Sequence, residues 1–210
     1  MSRAVITYHD IEQGTPEWLE ARENMYTGSN AYKLLGSIGV LEYAKARDSG
    51  FSGNFWTKRG HLLEVQALKL AAKKLGVVIH TTGYVTNSLF PGCLYSPDGY
   101  EDEWLDEVKC FSKEQHLKIV NAKSVLEISI KILAQIHYGM LITGKRKARL
   151  IAFNPLFAKK QIENEFGEMI DNPDYDPSKA LKIITIRYDR EIAENFKRKL
   201  GGVNVQPAIS

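Results

Sequence analysis

The sequence predicts an α/β (α+β) domain, a mixed central β-sheet flanked by helices. Helical periodicity dominates the first third of the chain, the middle changes to short strand-like runs between turn signals, and strands then interleave with helices. The 210 residues suit one domain, 1–210, and 44% hydrophobic residues supply a sizeable core. One quarter of the residues are charged, as in ordinary globular chains, which excludes general disorder. No run approaches the roughly 18 apolar residues of a membrane span, so no membrane partner is expected. The opening MSRAVITYHD has no apolar signal core. Cys93 and Cys110 cannot staple a chain of this size, so reduced thiols and a cytoplasmic location are expected. A net charge of +3 favours a nucleic-acid partner only where the basic residues cluster.

Thr15-Pro16 opens the first helix, with a hydroxyl cap and proline at the first helical position; the helix carries Trp18, Leu19, Ala21 and Arg22. A short second helix follows Ser29 and ends at Gly36. Residues 37–54, rich in glycine and serine, read as a loop. A long helix runs from Phe55 to Leu75, stopped by Gly76, with Leu68, Ala71 and Leu75 on one stripe. Residues 77–86, 92–96 and 104–110 suit strands, and Ser96-Pro97-Asp98-Gly99 is a turn signal. A helix is expected over Val125 to Thr143, ended by Gly144. Strands follow at 147–153 and 181–188. Asp189 caps the last helix, which aligns Ile192, Phe196 and Leu200 and stops at Gly201-Gly202.

Three acidic positions fall where a fold gains little from them. Glu64 continues the stripe of Leu68 and Ala71, and a carboxylate on a core-facing stripe must be paired, metal-bound or at the rim. Asp98 sits in the turn, where Asp-Gly is common for purely local reasons. Glu107 and Lys109 alternate with Val108, so both project to one face of their strand. Separately, each has a plain reading: a helix-end side chain, a turn former, a solvated strand pair. Together, Pro97-Asp98 followed by Glu107-Val108-Lys109 is the pattern of a strand-turn-strand nuclease core. Phosphodiester attack needs a hard cation held by carboxylate oxygens, an activated water, and a nearby positive group. Lys109 supplies the last of these.

GTPEWLEARENMYTGS, with a Trp and an Arg on the first helix and then Thr-x-Ser, resembles the opening of the lambda-exonuclease family of phage recombinase nucleases. YSPDG followed by EVK resembles that family's catalytic block, Gly60 with Glu64 its acidic helix, and Gln135 with Tyr138 its glutamine-rich helix. The resemblance covers 14–155; His137 departs from it, standing where a second glutamine is usual, and 156–210 carry no specific match but complete the domain with a strand and a helix. It implies a restriction-endonuclease-like PD-(D/E)XK core. It further implies a Mg²⁺-dependent 5′-to-3′ exodeoxyribonuclease (Mn²⁺ as substitute) that leaves 3′ overhangs on linear duplex DNA for strand-annealing recombination. Asp98 and Glu107 would bind the metal, with the Val108 carbonyl as an additional ligand; Lys109 would position the water and Glu64 assist. Arg22, Ser29, Ser96 and Gln135 would contact a 5′-phosphate. The implied partners are duplex DNA ends, two further copies in a homotrimeric ring, and a single-strand annealing protein, in a bacterial host cytoplasm if phage-encoded. Alternatives are an endonuclease of the same superfamily and a non-catalytic DNA-binding module.

Lys145, Arg146, Lys147 and Arg149 cluster with no acid between 143 and 160. With a nuclease core beside them they are expected to form a duplex-binding rim. The five histidines show no zinc spacing, and His61 is expected at the surface. Trp18, Trp56 and Trp104 are expected to pack in the core or rim rather than stack on bases.

Overall fold

The computed structural model describes residues 3–23, 25–35 and 55–201, with side chains in the third segment from Leu62 onward. The expected loop over 37–54, Gly36, Gly202 and the side chains of Trp56 and His61 lie outside what is described. Helix α1 spans Pro16–Arg22, and the Thr15 hydroxyl accepts from the Trp18 N–H at 3.3 Å as the Thr-Pro start predicts. A 3₁₀ turn, Gly28–Asn30, leads into the single-turn helix α2, Tyr32–Leu35. The long helix α3 is Phe55–Leu75, followed by Gly76 at φ 69°.

Strand β1, Ile6–His9, pairs antiparallel with β2, Tyr84–Asn87, which pairs with β3, Leu94–Tyr95. The expected strand over 77–86 is corrected to its last residues; before them, only His80 bridges, to Tyr100. The second sheet is β4, Gly99–Tyr100, then β5, Trp104–Lys109, then β6, Lys147–Phe153, then β9, Leu181–Arg187. The β5–β6 pairing is parallel and the other two are antiparallel, so the sheet is mixed as expected. The crossover between β5 and β6 contains α4, Lys113–Asn121, and α5, Ile130–Thr143. The start expected at Val125 is corrected to Ile130, because 125–127 form a separate 3₁₀ turn capped by Ser124. Gly144, at φ 71°, ends α5. Between β6 and β9 lie a 3₁₀ turn, the hairpin β7–β8 (Gln161–Glu163 with Met169–Asp171) and α6, Pro177–Ala180. The chain then forms α7, Arg190–Gly201, and Asp189 accepts from the Glu191 and Ile192 N–H groups.

Strand alternation sorts the core onto two faces of the second sheet. Leu105, Ala148, Leu150, Ala152 and Ile186 pack with α5 and α7, including Phe196 and Leu200. Val108, Ile151 and Phe153 pack with Ala67, Leu68 and Ala71 of α3. The result is a helix–sheet–helix sandwich with Glu107 and Lys109 on the α5 side of β5. Leu75, expected on the buried stripe, is 38% exposed, because that stripe curves away through Ala67 instead. Gly99 is where β4 abuts α3: a Cβ there would stand 2.5 Å from the Ile79 side chain and 3.1 Å from that of Leu68.

Candidate active site

The turn from β3 to β4 carries Ser96, Pro97 and Asp98 to the end of β5 where Glu107 and Lys109 emerge. The Val108 N–H donates to Asp98 Oδ2 at 2.6 Å, fixing the aspartate against the strand. Lys109 Nζ donates to Glu107 Oε1 at 2.6 Å, so the two side chains share a face as the alternation predicts. From α5, Gln135 Nε2 donates to the same oxygen at 2.5 Å, while the Tyr95 hydroxyl donates to Oε2. Glu107 itself is only 1% exposed.

A second group of residues adjoins these on the α1 side. Arg22 Nη1 donates to Ser96 Oγ at 2.9 Å, and the guanidinium lies over the Trp18 ring at 4.1 Å. Trp18 Nε1 donates to Gly83 O at 2.9 Å and to Ser96 Oγ at 3.2 Å. Both groups open on one pocket of about 280 Å³, into which Ser29 and Glu64 also face. All nine residues expected at the metal, the reaction or the phosphate thus line a single cavity: Glu64, Asp98, Glu107, Val108 and Lys109 together with Arg22, Ser29, Ser96 and Gln135.

The charges in this pocket work against each other. Burial, then the neighbouring carboxylates of Glu107 and Glu64, hold Asp98 well above the usual aspartate range. Glu64 is pushed up to about 7, first by burial and then by Glu107, with Lys109 pulling the other way. Burial disfavours the charge on Lys109, but Glu107 and Asp98 outweigh it and raise its pKa. Three carboxylates thus share the pocket with the Lys109 ammonium and the Arg22 guanidinium. Among the described residues, no three His, Cys, Asp or Glu side chains converge as a ready metal cluster. Asp98 and Glu107 instead offer a two-carboxylate, all-oxygen set. That set fits a hard divalent cation that keeps water and substrate oxygens in its remaining positions.

Of the expected basic rim, Lys145 and Arg149 are buried, Lys147 is half-buried and Arg146 is exposed. Arg149 is buried, donating from Nε to Asp106 Oδ1 at 2.6 Å and from Nη2 to Asp106 Oδ2 at 2.8 Å, with a further bond to Glu101. Lys145 is also buried, donating to the Glu101 and Asp102 carbonyls at 2.6 and 3.1 Å. Lys147 pairs with Glu103, and Arg146 lies 4.0 Å over the Tyr188 ring. The acids of 101–106 are remote in sequence from this cluster but adjacent across the parallel β5–β6 pairing, where Asp106 faces Arg149.

Trp18 and Tyr95 stand inside the motifs that carry the resemblance but have no role assigned there, and Gln13 carries no signal of its own. Trp18, expected to pack, forms the platform under Arg22. Gln13 donates from Nε2 to the Thr82 and Pro97 carbonyls at 2.9 and 3.0 Å, tying the entry to α1 onto the Ser96–Asp98 turn. Tyr95 reads as an ordinary strand aromatic. Cys93 is buried, which pushes its thiol up to about 11; Cys110 lines the pocket, and neither forms a disulfide.

No protein-family model matches the chain, and no curated protein sequence matches it. Solved structures do. An alkaline exonuclease, LHK-Exo, from Laribacter hongkongensis is 17% identical, with a TM-score of 0.69 over 89% of each chain. The same enzyme in complex with dAMP gives 0.67 at 17% identity, again over 89% of each chain. A phage-related exonuclease from Haemophilus somnus 129PT gives 0.63 at 16% identity, covering 84% of this chain and 90% of that one. The helix–sheet–helix sandwich that carries this pocket therefore has the fold of the alkaline and phage-related exonucleases.

Proposed function

We propose that the protein is a divalent-metal-dependent exodeoxyribonuclease that degrades one strand of linear duplex DNA in the 5′-to-3′ direction. The observation that carries this reading is the single pocket joining Asp98, Glu107 and Lys109 to Arg22 and Ser96. Mg²⁺ (or Mn²⁺), held by Asp98 and Glu107 with the Val108 carbonyl as a further ligand, would supply Lewis-acid activation of water and charge neutralisation on the phosphate. Lys109 holds an ammonium beside the carboxylates, where it can orient the attacking water and offset charge developing on phosphate oxygens. Glu64, poised near neutrality, can take up or release a proton at the pocket wall. Arg22 presents a planar fork whose orientation the Trp18 ring and Ser96 fix, and such a fork matches a terminal phosphate. Ser29 and Gln135 flank the same volume. The chain would act as a homotrimeric ring in a host cytoplasm, producing 3′ overhangs for a strand-annealing partner.

Incubation with Mg²⁺ of linear duplexes labelled at one end, beside a closed circle of the same sequence, tests the reading. Stepwise loss from 5′ ends with the circle intact is expected. Nicking of the circle would replace the exonuclease with an endonuclease, and binding without cleavage would leave a DNA-binding module.

A further inference from the structure

Tyr95 stands out among the buried side chains because its position is determined from both sides. It is 1% exposed, at the end of β3, and pairs with Val85 of β2. Gly28 of the 3₁₀ turn and Gly139 of α5 flank its ring. A Cβ on Gly28 would stand 2.7 Å from Tyr95 Cε2, and one on Gly139 would stand 2.5 Å from Cζ. Two segments distant in sequence thus approach the ring more closely than any side chain would allow. This clamp aims the hydroxyl at Glu107 Oε2, whereas Lys109 and Gln135 both donate to Oε1. Lys109 and Gln135 are long side chains with several rotatable bonds, so neither fixes the carboxylate plane as a clamped phenol does.

We propose that Tyr95 is the positioning residue of Glu107, the clamped hydroxyl that sets the carboxylate plane for cation binding. The inference rests on the metal-dependent reading of the pocket. Removing such an outer partner of a metal-binding side chain lowers metal affinity about 10- to 100-fold.

The test compares wild type, Tyr95→Phe and Tyr138→Phe. Tyr138 is a second buried tyrosine, whose hydroxyl donates to Tyr26 O at 2.7 Å, and its loss measures the general cost of deleting a buried phenol hydroxyl. Mn²⁺ binding is measured by calorimetry, thermal melting checks folding, and cleavage of a labelled duplex is titrated with Mg²⁺. Tyr95→Phe keeps the ring in its clamp; it is expected to melt as a folded protein, bind Mn²⁺ at least tenfold more weakly, and need correspondingly more Mg²⁺ for half-maximal cleavage. Tyr138→Phe is expected to keep wild-type Mn²⁺ affinity. Unchanged Mn²⁺ affinity in Tyr95→Phe, or an equal loss in both variants, overturns the inference. A wild type that binds Mn²⁺ but cuts no DNA overturns the nuclease reading alone, and the calorimetric comparison still decides on Tyr95. A wild type that binds no Mn²⁺ overturns both.

Discussion

At the scale of single residues, the proposed function divides the pocket into side chains that would act on the cation and side chains that would act on the phosphate, and the two sets should fail differently. Asp98→Ala and Glu107→Ala each remove a negative oxygen donor, so both should abolish cleavage at saturating Mg²⁺ while the circular dichroism spectrum stays native. Lys109→Ala should cost a comparable factor in rate with a smaller loss of Mn²⁺ affinity, since it acts on charge in the transition state. Near wild-type turnover in either carboxylate variant would remove the catalytic assignment. Arg22→Ala should instead erase the preference for a 5′-phosphorylated end over a 5′-hydroxyl end. A charge-assisted hydrogen bond contributes about 1.5–3 kcal/mol, roughly ten- to a hundredfold in the rate ratio. Equal loss on both kinds of end would assign Arg22 to general DNA binding. These residues were legible in the sequence because carboxylate, lysine and arginine are chemically conspicuous at fixed spacing. The roles of Tyr95, Trp18 and Gln13 were not, although the first two stand in the quoted motifs, because only the folded chain shows which polar atom the hydroxyl, indole N–H or amide meets.

At the scale of elements, α3 brings a carboxylate from the opposite layer of the sandwich to the pocket, and that placement has a measurable cost. Glu64 titrates near its ordinary 4.5 in the unfolded chain and at about 7 in the folded one. Between those values the folded state holds the extra proton, so its stability falls as pH rises through that window. Glu64→Gln has no charge to bury. In chelator, urea unfolding should show little gain over wild type at pH 5 and a gain of about 1–3 kcal/mol at pH 8. An equal gain at both pH values would mean that side-chain packing, not the buried charge, distinguishes the two. The elements themselves were legible where a local signal sufficed: Thr15-Pro16 for α1, Gly144 for the end of α5, and the apolar run that became β6. β1 is specified by a partner more than seventy residues away, so 6–9 carries no local strand signal, and of 77–83 only His80 forms a bridge. The burial of Lys145 and Arg149 in the basic cluster is likewise hidden from local reading, because the Glu101 and Asp102 carbonyls and the Asp106 carboxylate that hold them lie more than forty residues earlier.

At the scale of the whole molecule, the correction of that cluster bears on how the protein would hold DNA. Salt-dependent affinity for a duplex comes from lysine and arginine side chains able to displace counterions from phosphates. Arg149 and Lys145 are buried against Asp106, Glu101 and Asp102 and do not present their charges to a duplex, while Lys147 pairs with Glu103 and Arg146 is exposed. On the proposed reading Arg22 and Lys109 in the pocket would meet phosphate at an end, and an enzyme that stayed bound through many cleavage cycles would need further means of retention. Retention by topological enclosure relieves that requirement, because a ring closed around the product strand leaves only by reaching its end. The homotrimeric ring proposed above predicts three times the 23.7 kDa chain mass in light scattering at micromolar concentration. Addition of excess unlabelled duplex after the reaction starts should leave ongoing strand loss nearly unaffected. Under dilution, the length removed per encounter should fall together with the trimer fraction. A 23.7 kDa monomer that degrades long stretches per encounter would sink the ring and move the source of retention to contacts within one chain.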